Sequence, residues 1–379
     1  MFGYNKRFFF ALSVLVGATI GAGIFGVPYV ISRSGIIPGF FYFLILGSLS
    51  VLIHLFFGEI ALRTKEKYRL VGFSQKYLGN LGKILIAASV VLGTIGALLA
   101  YLILAGNFLK ILFSPLLNLS TLNFIVIFWL FCSFFVFRGV KLIAPAELLT
   151  NLLFFAVVAL IFCFALPKFN FSNFTLFNPP DIFLPFGVIL FSLVGWSAIP
   201  EIVEISKTPE EKKDIKKIII LSIATVIVFY LLFTFAVVGV AGQNVSPDAI
   251  SGLLPFLGGK IIFLGALAGF ITIADSFLIL ALYLRNTFIY DFKLPKMISI
   301  VASLGTPLIL YLVGLRSFIS VIGFVGTIIG VVEGIVIILI FKKAKTLGNR
   351  EPEYSLKIPS ALLYCLMLIF ILGAISQFF

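Results

Sequence analysis

Two short stretches of this chain combine residues that loosen a helix with residues that present polar backbone. The first reads Gly17-Ala18-Thr19-Ile20-Gly21-Ala22-Gly23-Ile24-Phe25-Gly26-Val27-Pro28, four glycines and a proline in twelve residues. In a helix interior glycine costs about 1 kcal/mol relative to alanine and proline about 3 kcal/mol. A helix crossing this stretch is therefore expected to unwind near its middle, exposing N–H groups that can bind a carboxylate and carbonyls that can bind a cation. The second stretch, Phe191-Ser192-Leu193-Val194-Gly195-Trp196-Ser197-Ala198-Ile199-Pro200-Glu201, carries the same weakness. A third feature is Asp275, set in Thr272-Ile273-Ala274-Asp275-Ser276 within an apolar run. An ionisable group there costs at least about 2.5 kcal/mol to insert, and marks a functional position by default.

Blander readings of the first stretch are weighed beside the chemical one. Gly21, Gly23 and Gly26 spell G-x-G-x-x-G, but the dinucleotide fingerprint needs a preceding strand and an uninterrupted helix after it, and Pro28 follows here. Gly17 and Gly21 form G-x-x-x-G, which by itself serves close helix packing.

The elements that must hold these residues follow from composition. Of 379 residues, 61% are hydrophobic and only 11% charged, with a mean hydropathy of +1.21, which excludes a soluble globular protein. Apolar runs long enough to cross a bilayer fall near 8–33, 38–62, 83–109, 121–137, 145–166, 183–204, 216–241, 259–284, 296–314, 317–341 and 358–378, about eleven spans. The fold class expected is an all-α polytopic membrane protein, a single domain over 1–379 whose function resides in the helix bundle. With the N-terminus cytoplasmic, all 28 Lys and Arg except Arg33, Lys110, Lys168, Lys260 and Arg316 fall on the inner side, as topology demands. The C-terminus is then outside. The net charge of +13 is explained by this topology rather than by nucleic acid as a partner; the lipid bilayer is the partner expected. Lys6-Arg7 before an apolar stretch resembles a signal peptide, but the apolar character continues through Ile31, which favours an uncleaved helix.

Cys132, Cys163 and Cys365 lie in different runs and are read as packing residues, with no disulfide framework. His54 is the single histidine, so a His-cluster metal centre is excluded and no cofactor is expected. The 45 phenylalanines are read as mostly lipid-facing bulk. The interrupted stretches occupy spans 1 and 6. Five spans per half, an odd number, make the second half run inverted, and paired interruptions in inverted halves point to a transporter's midplane site.

The residues from Gly17 to Tyr29, continuing through Ser34-Gly35-Ile36-Ile37-Pro38-Gly39, resemble the first-helix signature of the amino acid–polyamine–organocation superfamily, in its amino acid/auxin permease branch. The segment Phe191 to Pro209 is similar to the superfamily's sixth helix and the basic loop after it. The resemblance implies a five-plus-five inverted-repeat (LeuT-type) fold with repeats near 8–166 and 183–341 and an extra helix at 358–378. It implies an amino acid substrate whose carboxylate meets Thr19, Gly21, Ala22 and Gly23. The α-amino group and side chain would lie against Phe191, Ser192, Val194, Gly195 and Trp196. It further implies a coupling-ion site in which span 8 faces the first break, with Thr272, Asp275 and Ser276 joined by carbonyls of Gly17 and Ile20. The ion is Na+, or else a proton on Asp275; a structurally paired carboxylate is the alternative to both. Ser197 stands where some relatives carry an acid, which speaks against dibasic substrates, and no lysine stands near Asn151 in span 5 to replace sodium.

Tyr101 and Glu333 are gate candidates, Glu333 also for proton handling. His54 and Glu59 are read as gate or interfacial residues, and Glu147 and Glu204 as partners of nearby lysines. The function expected is import of a neutral amino acid, aromatic and branched side chains included, by cation-coupled alternating access across the cell (inner) membrane. A cation-independent exchanger and a non-transporting sensor are the alternatives. An intramembrane enzyme is not supported, since no H-E-x-x-H motif and no catalytic acid pair occur.

Overall fold

The computed structural model describes residues 4–114, 116–138, 144–290 and 292–377, with the backbone alone at 4–5, 144–151 and 290. Lys141 and the side chains of Glu147 and Asn151 thus lie outside the described residues. The first apolar run forms two helices, α1 (Tyr4–Thr19) and α2 (Gly23–Ser34), bent by 55° at the glycine-rich break. Then follow α3 (Ile36–Leu62), α4 (Leu70–Phe113), α5 (Thr121–Arg138) and α6 (Ala144–Ala165). Gly79, at φ 77°, kinks α4, so its first turns form a separate short helix before the long one. The sixth run is also divided, into α7 (Pro185–Ser192) and α8 (Ile199–Ile205), joined by a single 3₁₀ turn at Trp196–Ala198. Prolines stand in the first turn of each half, at Pro185 and Pro200, where no intrahelical N–H is lost.

After α9 (Pro209–Lys213), whose Thr208–Glu211 capping box fixes its start, come α10 (Ile215–Ala241), α11 (Leu254–Leu257) and α12 (Gly259–Tyr290). The chain ends with α13 (Lys296–Leu312), α14 (Phe318–Phe324), a π-helical segment at Val325–Gly330, α15 (Val331–Leu347) and α16 (Ser360–Ser376). Every apolar run expected to span is thus helical. Among the described residues, seven helical segments are long and apolar enough to cross a membrane, the α1–α2 pair is an eighth, and Lys296–Leu312 and Ser360–Ser376 are shorter.

The halves of the two broken helices pack on one another, α1 against α8 and α2 against α7, so the breaks stand level. The α10 helix crosses α1, α2 and α3, while α4 joins α5, α12 and α15. Large aromatic side chains fill this centre: Phe25, Phe56, Phe57, Phe108, Phe128 and Phe277 are all fully buried. Others, among them Phe9, Phe40, Phe41, Phe131 and Phe134, are exposed on the outside of the helices. Cys132 is buried as expected, but Cys163 and Cys365 point outward, since the helical repeat turns them away from their neighbours.

The basic ends are tied together. Arg7 of α1 pairs with Glu211 at 2.9 Å, and Glu204 pairs with Lys67 at 3.4 Å, the lysine partner expected for it. Glu59, fully buried, receives Arg63 Nε at 2.8 Å, Ser355 Oγ at 3.2 Å and the Leu356 N–H at 2.6 Å. The segment between α15 and α16 is thereby strapped across the end of α3.

Candidate functional site

The two breaks meet through backbone and small side chains. A Cβ placed on Gly195 would collide with the Thr19 side chain, and one on Gly23 with Ser192, so glycine at both positions permits the close approach. The first turn of α2, where the Phe25 N–H donates to the Ala22 carbonyl at 3.1 Å, forms the positive end of the helix, facing the break. The carbonyl ends of α1 and α7 converge on the same place. Complementary ends of this kind suit a zwitterion, with the N–H groups for its carboxylate and the carbonyls for its ammonium.

Tyr230, from the middle of α10, was not singled out from the sequence. Its hydroxyl is fully buried and lies 3.2 Å from the Thr19 carbonyl and 3.0 Å from the Ser192 carbonyl, donating to the pair and bridging the breaks. Nothing in the apolar run around it signals that position. Thr19 turns its own hydroxyl back onto the Leu15 carbonyl at 2.7 Å, and Ser192 does the same to Val188 at 2.7 Å.

Tyr101 of α4 stands on the other side of the first break. Its hydroxyl faces the backbone of Ala22 and the side chain of Ser276, and a Cβ on Gly21 would come within 3.2 Å of it. Tyr101 therefore links the first break to α12. Thr272 is buried and donates to the Ala268 carbonyl at 3.0 Å, while Asp275 and Ser276 are half-buried. Gly17 of α1 is half-buried and Ile20, just past its end, is buried. The α12 helix approaches α2 where a Cβ on Gly269 would lie 3.2 Å from the Phe25 ring. Among the described residues no cluster of three His, Cys, Asp or Glu could hold a metal ion.

At the second break, Trp196 is buried and donates its indole N–H to Glu333 Oε2 at 2.7 Å. Ser89 of α4 donates to the other Glu333 oxygen at 3.4 Å. The two residues expected in separate roles, substrate contact and gate, are thus one hydrogen-bonded unit. Phe191 and Val194 are half-buried, and Val194 turns toward the π-helical segment, where a Cβ on Gly330 would lie 3.7 Å from it. His54 packs its ring 5.7 Å from that of Trp196 and is fully buried, which corrects the reading of it as interfacial.

Beyond the second break, toward the basic ends, a cleft of about 200 Å³ opens between α3 and α8. Lys65, Lys207, Lys212 and Arg350 line it together with Glu66 and Glu204. Outside the apolar region, Glu66 is held at about 2, chiefly by its hydrogen bond with Lys76, so it stays ionised there.

Comparison with known proteins bears on the family and the fold. The chain is 25% identical over 337 residues to Glutamine transporter 2 of Aliivibrio fischeri, covering 86% of each protein. It superposes on the crystal structure of MhsT in complex with L-phenylalanine with a TM-score of 0.66, at 15% identity and 97% coverage of both chains; that likeness is one of fold, the LeuT type. The model of the family described as transmembrane amino acid transporter protein matches residues 6–341. The resemblance carried by the two glycine-containing breaks is thereby met: this multi-pass membrane chain belongs to the transmembrane amino acid transporter family, whose members are transporters and not enzymes.

Proposed function

We propose that the protein imports neutral amino acids by cation-coupled alternating access around the two breaks, with Na+ or H+ as the coupling ion. The observation that carries this reading is the convergence of the α2 N-terminus with the carbonyl ends of α1 and α7 at Thr19, Gly23, Ser192 and Gly195. Such a site binds the two charges common to every amino acid through backbone dipoles, while the absence of an acid at Ser197 favours uncharged side chains. The name of the Aliivibrio fischeri relative adds glutamine to the substrates worth testing.

Coupling is assigned to α12. Thr272, Asp275 and Ser276, with carbonyls of Gly17 and Ile20, are hard oxygen donors suited to an alkali cation, and Asp275 is equally a proton carrier. Tyr101, between Ala22 and Ser276, is placed to make substrate and ion binding interdependent. We assign the basic ends to the cytoplasm of a cell with the protein in its inner membrane, so the cleft beside Lys65 and Lys207 lies on the inward path. The two halves are read as inverted repeats, with α16 outside them.

The test is uptake of a panel of labelled amino acids into proteoliposomes, with sodium and pH gradients imposed separately. Accumulation under one gradient supports coupled import and identifies the ion. Exchange without gradient-driven accumulation would replace it with the exchanger reading, and binding without any flux with the sensor reading.

A further inference from the structure

His54 has one ring nitrogen satisfied and one stranded. Nδ1 lies 2.7 Å from the Ser50 carbonyl, which can only accept, so Nδ1 carries the proton and donates. Ser50 also contributes its hydroxyl, 3.3 Å from Nδ1, and donates it to the Leu193 carbonyl at 2.9 Å, just before the second break. The tautomer and the ring plane are thus fixed from α3 and from the break itself. In the neutral ring the other nitrogen, Nε2, is an acceptor, and among the described residues it has no hydrogen-bond partner although the residue is 0% exposed. A buried acceptor left unpaired is destabilising, and such groups are normally satisfied.

Nε2 is aimed at the junction of the breaks. A Cβ on Gly195 would lie 3.2 Å from it, and the same Cβ would collide with Thr19. The other polar groups that could turn to it are committed elsewhere: the Thr19 hydroxyl to Leu15, the Trp196 indole N–H to Glu333, and the Tyr230 hydroxyl to the carbonyls of Thr19 and Ser192. None of these side chains donates to Nε2.

We infer that His54 Nε2 accepts a hydrogen bond from the side chain of the transported substrate and so selects carboxamide side chains over apolar or ester side chains of the same size. This rests on the transport reading above. The substrate ammonium already has carbonyls at the ends of α1 and α7, which leaves the unpaired His54 Nε2 to a side-chain N–H. A site built around a buried acceptor rejects an analogue lacking the donor, because binding it leaves the acceptor desolvated and unpaired.

Wild-type proteoliposomes are assayed for uptake of labelled glutamine, asparagine and leucine, and for inhibition by glutamate γ-methyl ester, which keeps the carbonyl of glutamine but has no side-chain N–H. The carboxamides are expected to be preferred over leucine and the ester by about tenfold or more in apparent affinity. His54→Phe should erase that preference while leucine uptake persists, and His54→Gln, which restores an acceptor, should recover part of it. Equal handling of glutamine, leucine and the ester by the wild type overturns the inference, whatever the variants do. A uniform loss for all substrates in His54→Phe also overturns it, since that places His54 on the shared backbone of the substrate. Uptake of no amino acid under any gradient overturns the transport reading and this inference with it, whereas undiscriminating uptake overturns this inference alone.

Discussion

Trp196 donates its indole N–H to Glu333 across 2.7 Å, fastening the turn between α7 and α8 to α15. Ser89 on α4 completes the carboxylate's set at 3.4 Å, so one side chain couples the second break to two helices outside it. Replacing Glu333 by alanine strands a buried indole N–H. A loss of about 1–3 kcal/mol in stability is expected, together with at least a tenfold drop in uptake. Glu333→Gln keeps an acceptor and should retain most of the stability. Thermal unfolding in detergent and uptake, measured on both variants, decide it; indistinguishable variants would show that the bond holds nothing in place.

Tyr230 ties the carbonyl ends of α1 and α7 together through one hydroxyl. Tyr230→Phe preserves the ring and its packing, so stability should fall by only about 1 kcal/mol. Transport should suffer more, because the relative position of the breaks is set there. The expected signature is a KM raised about tenfold with the protein still folded, read from uptake kinetics. An unchanged KM would remove Tyr230 from the site.

Gly21→Leu should abolish amino acid binding. Even a Cβ there comes within 3.2 Å of the Tyr101 hydroxyl, and the rest of a leucine side chain would occupy the space between Tyr101 and the unwound backbone. Equilibrium binding to the purified variant is the check, and unchanged affinity would sink the proposed carboxylate pocket.

Asp275→Asn removes the only carboxylate of α12. Gradient-driven accumulation and its dependence on sodium or pH should disappear, while exchange of internal for external substrate continues in part. If accumulation against a gradient survives intact, the coupling site lies elsewhere.

The Arg7–Glu211 pair should make stability depend on pH. Burial works to raise the Glu211 carboxyl, but N–H donors from Lys207 and Thr208 and the Arg7 guanidinium outweigh it and hold the group below the usual carboxylate range. A carboxyl lowered in the folded state adds stability that is complete above its unfolded pKa and lost as pH falls through the folded one. The difference in melting temperature between wild type and Glu211→Gln should therefore be largest near neutral pH and shrink in acid. A difference that stays constant from neutral to acid pH would contradict the ion pair's contribution.

Hydropathy and glycine content are local properties, and what depends on them was legible in the chain. The apolar runs became helices, and both breaks appeared where Gly17–Pro28 and Ser192–Pro200 foretold them, because the cost of glycine and proline in a helix does not wait for tertiary contacts. The strongest contacts of the site are not local. Trp196 and Glu333 are 137 positions apart, Tyr230 and Thr19 are 211, and neither pairing leaves a periodic or compositional trace. His54 shows the same division. Its place in an apolar run was visible, but its full burial was not, and only the folding of α7 and α8 against α3 put its unpaired nitrogen beside Gly195. The sequence by itself determined which apolar stretches would be helical and where two of them would come unwound. Packing of helices distant in the chain decided which polar groups meet there, because a hydrogen bond depends on position in space and not on separation along the backbone.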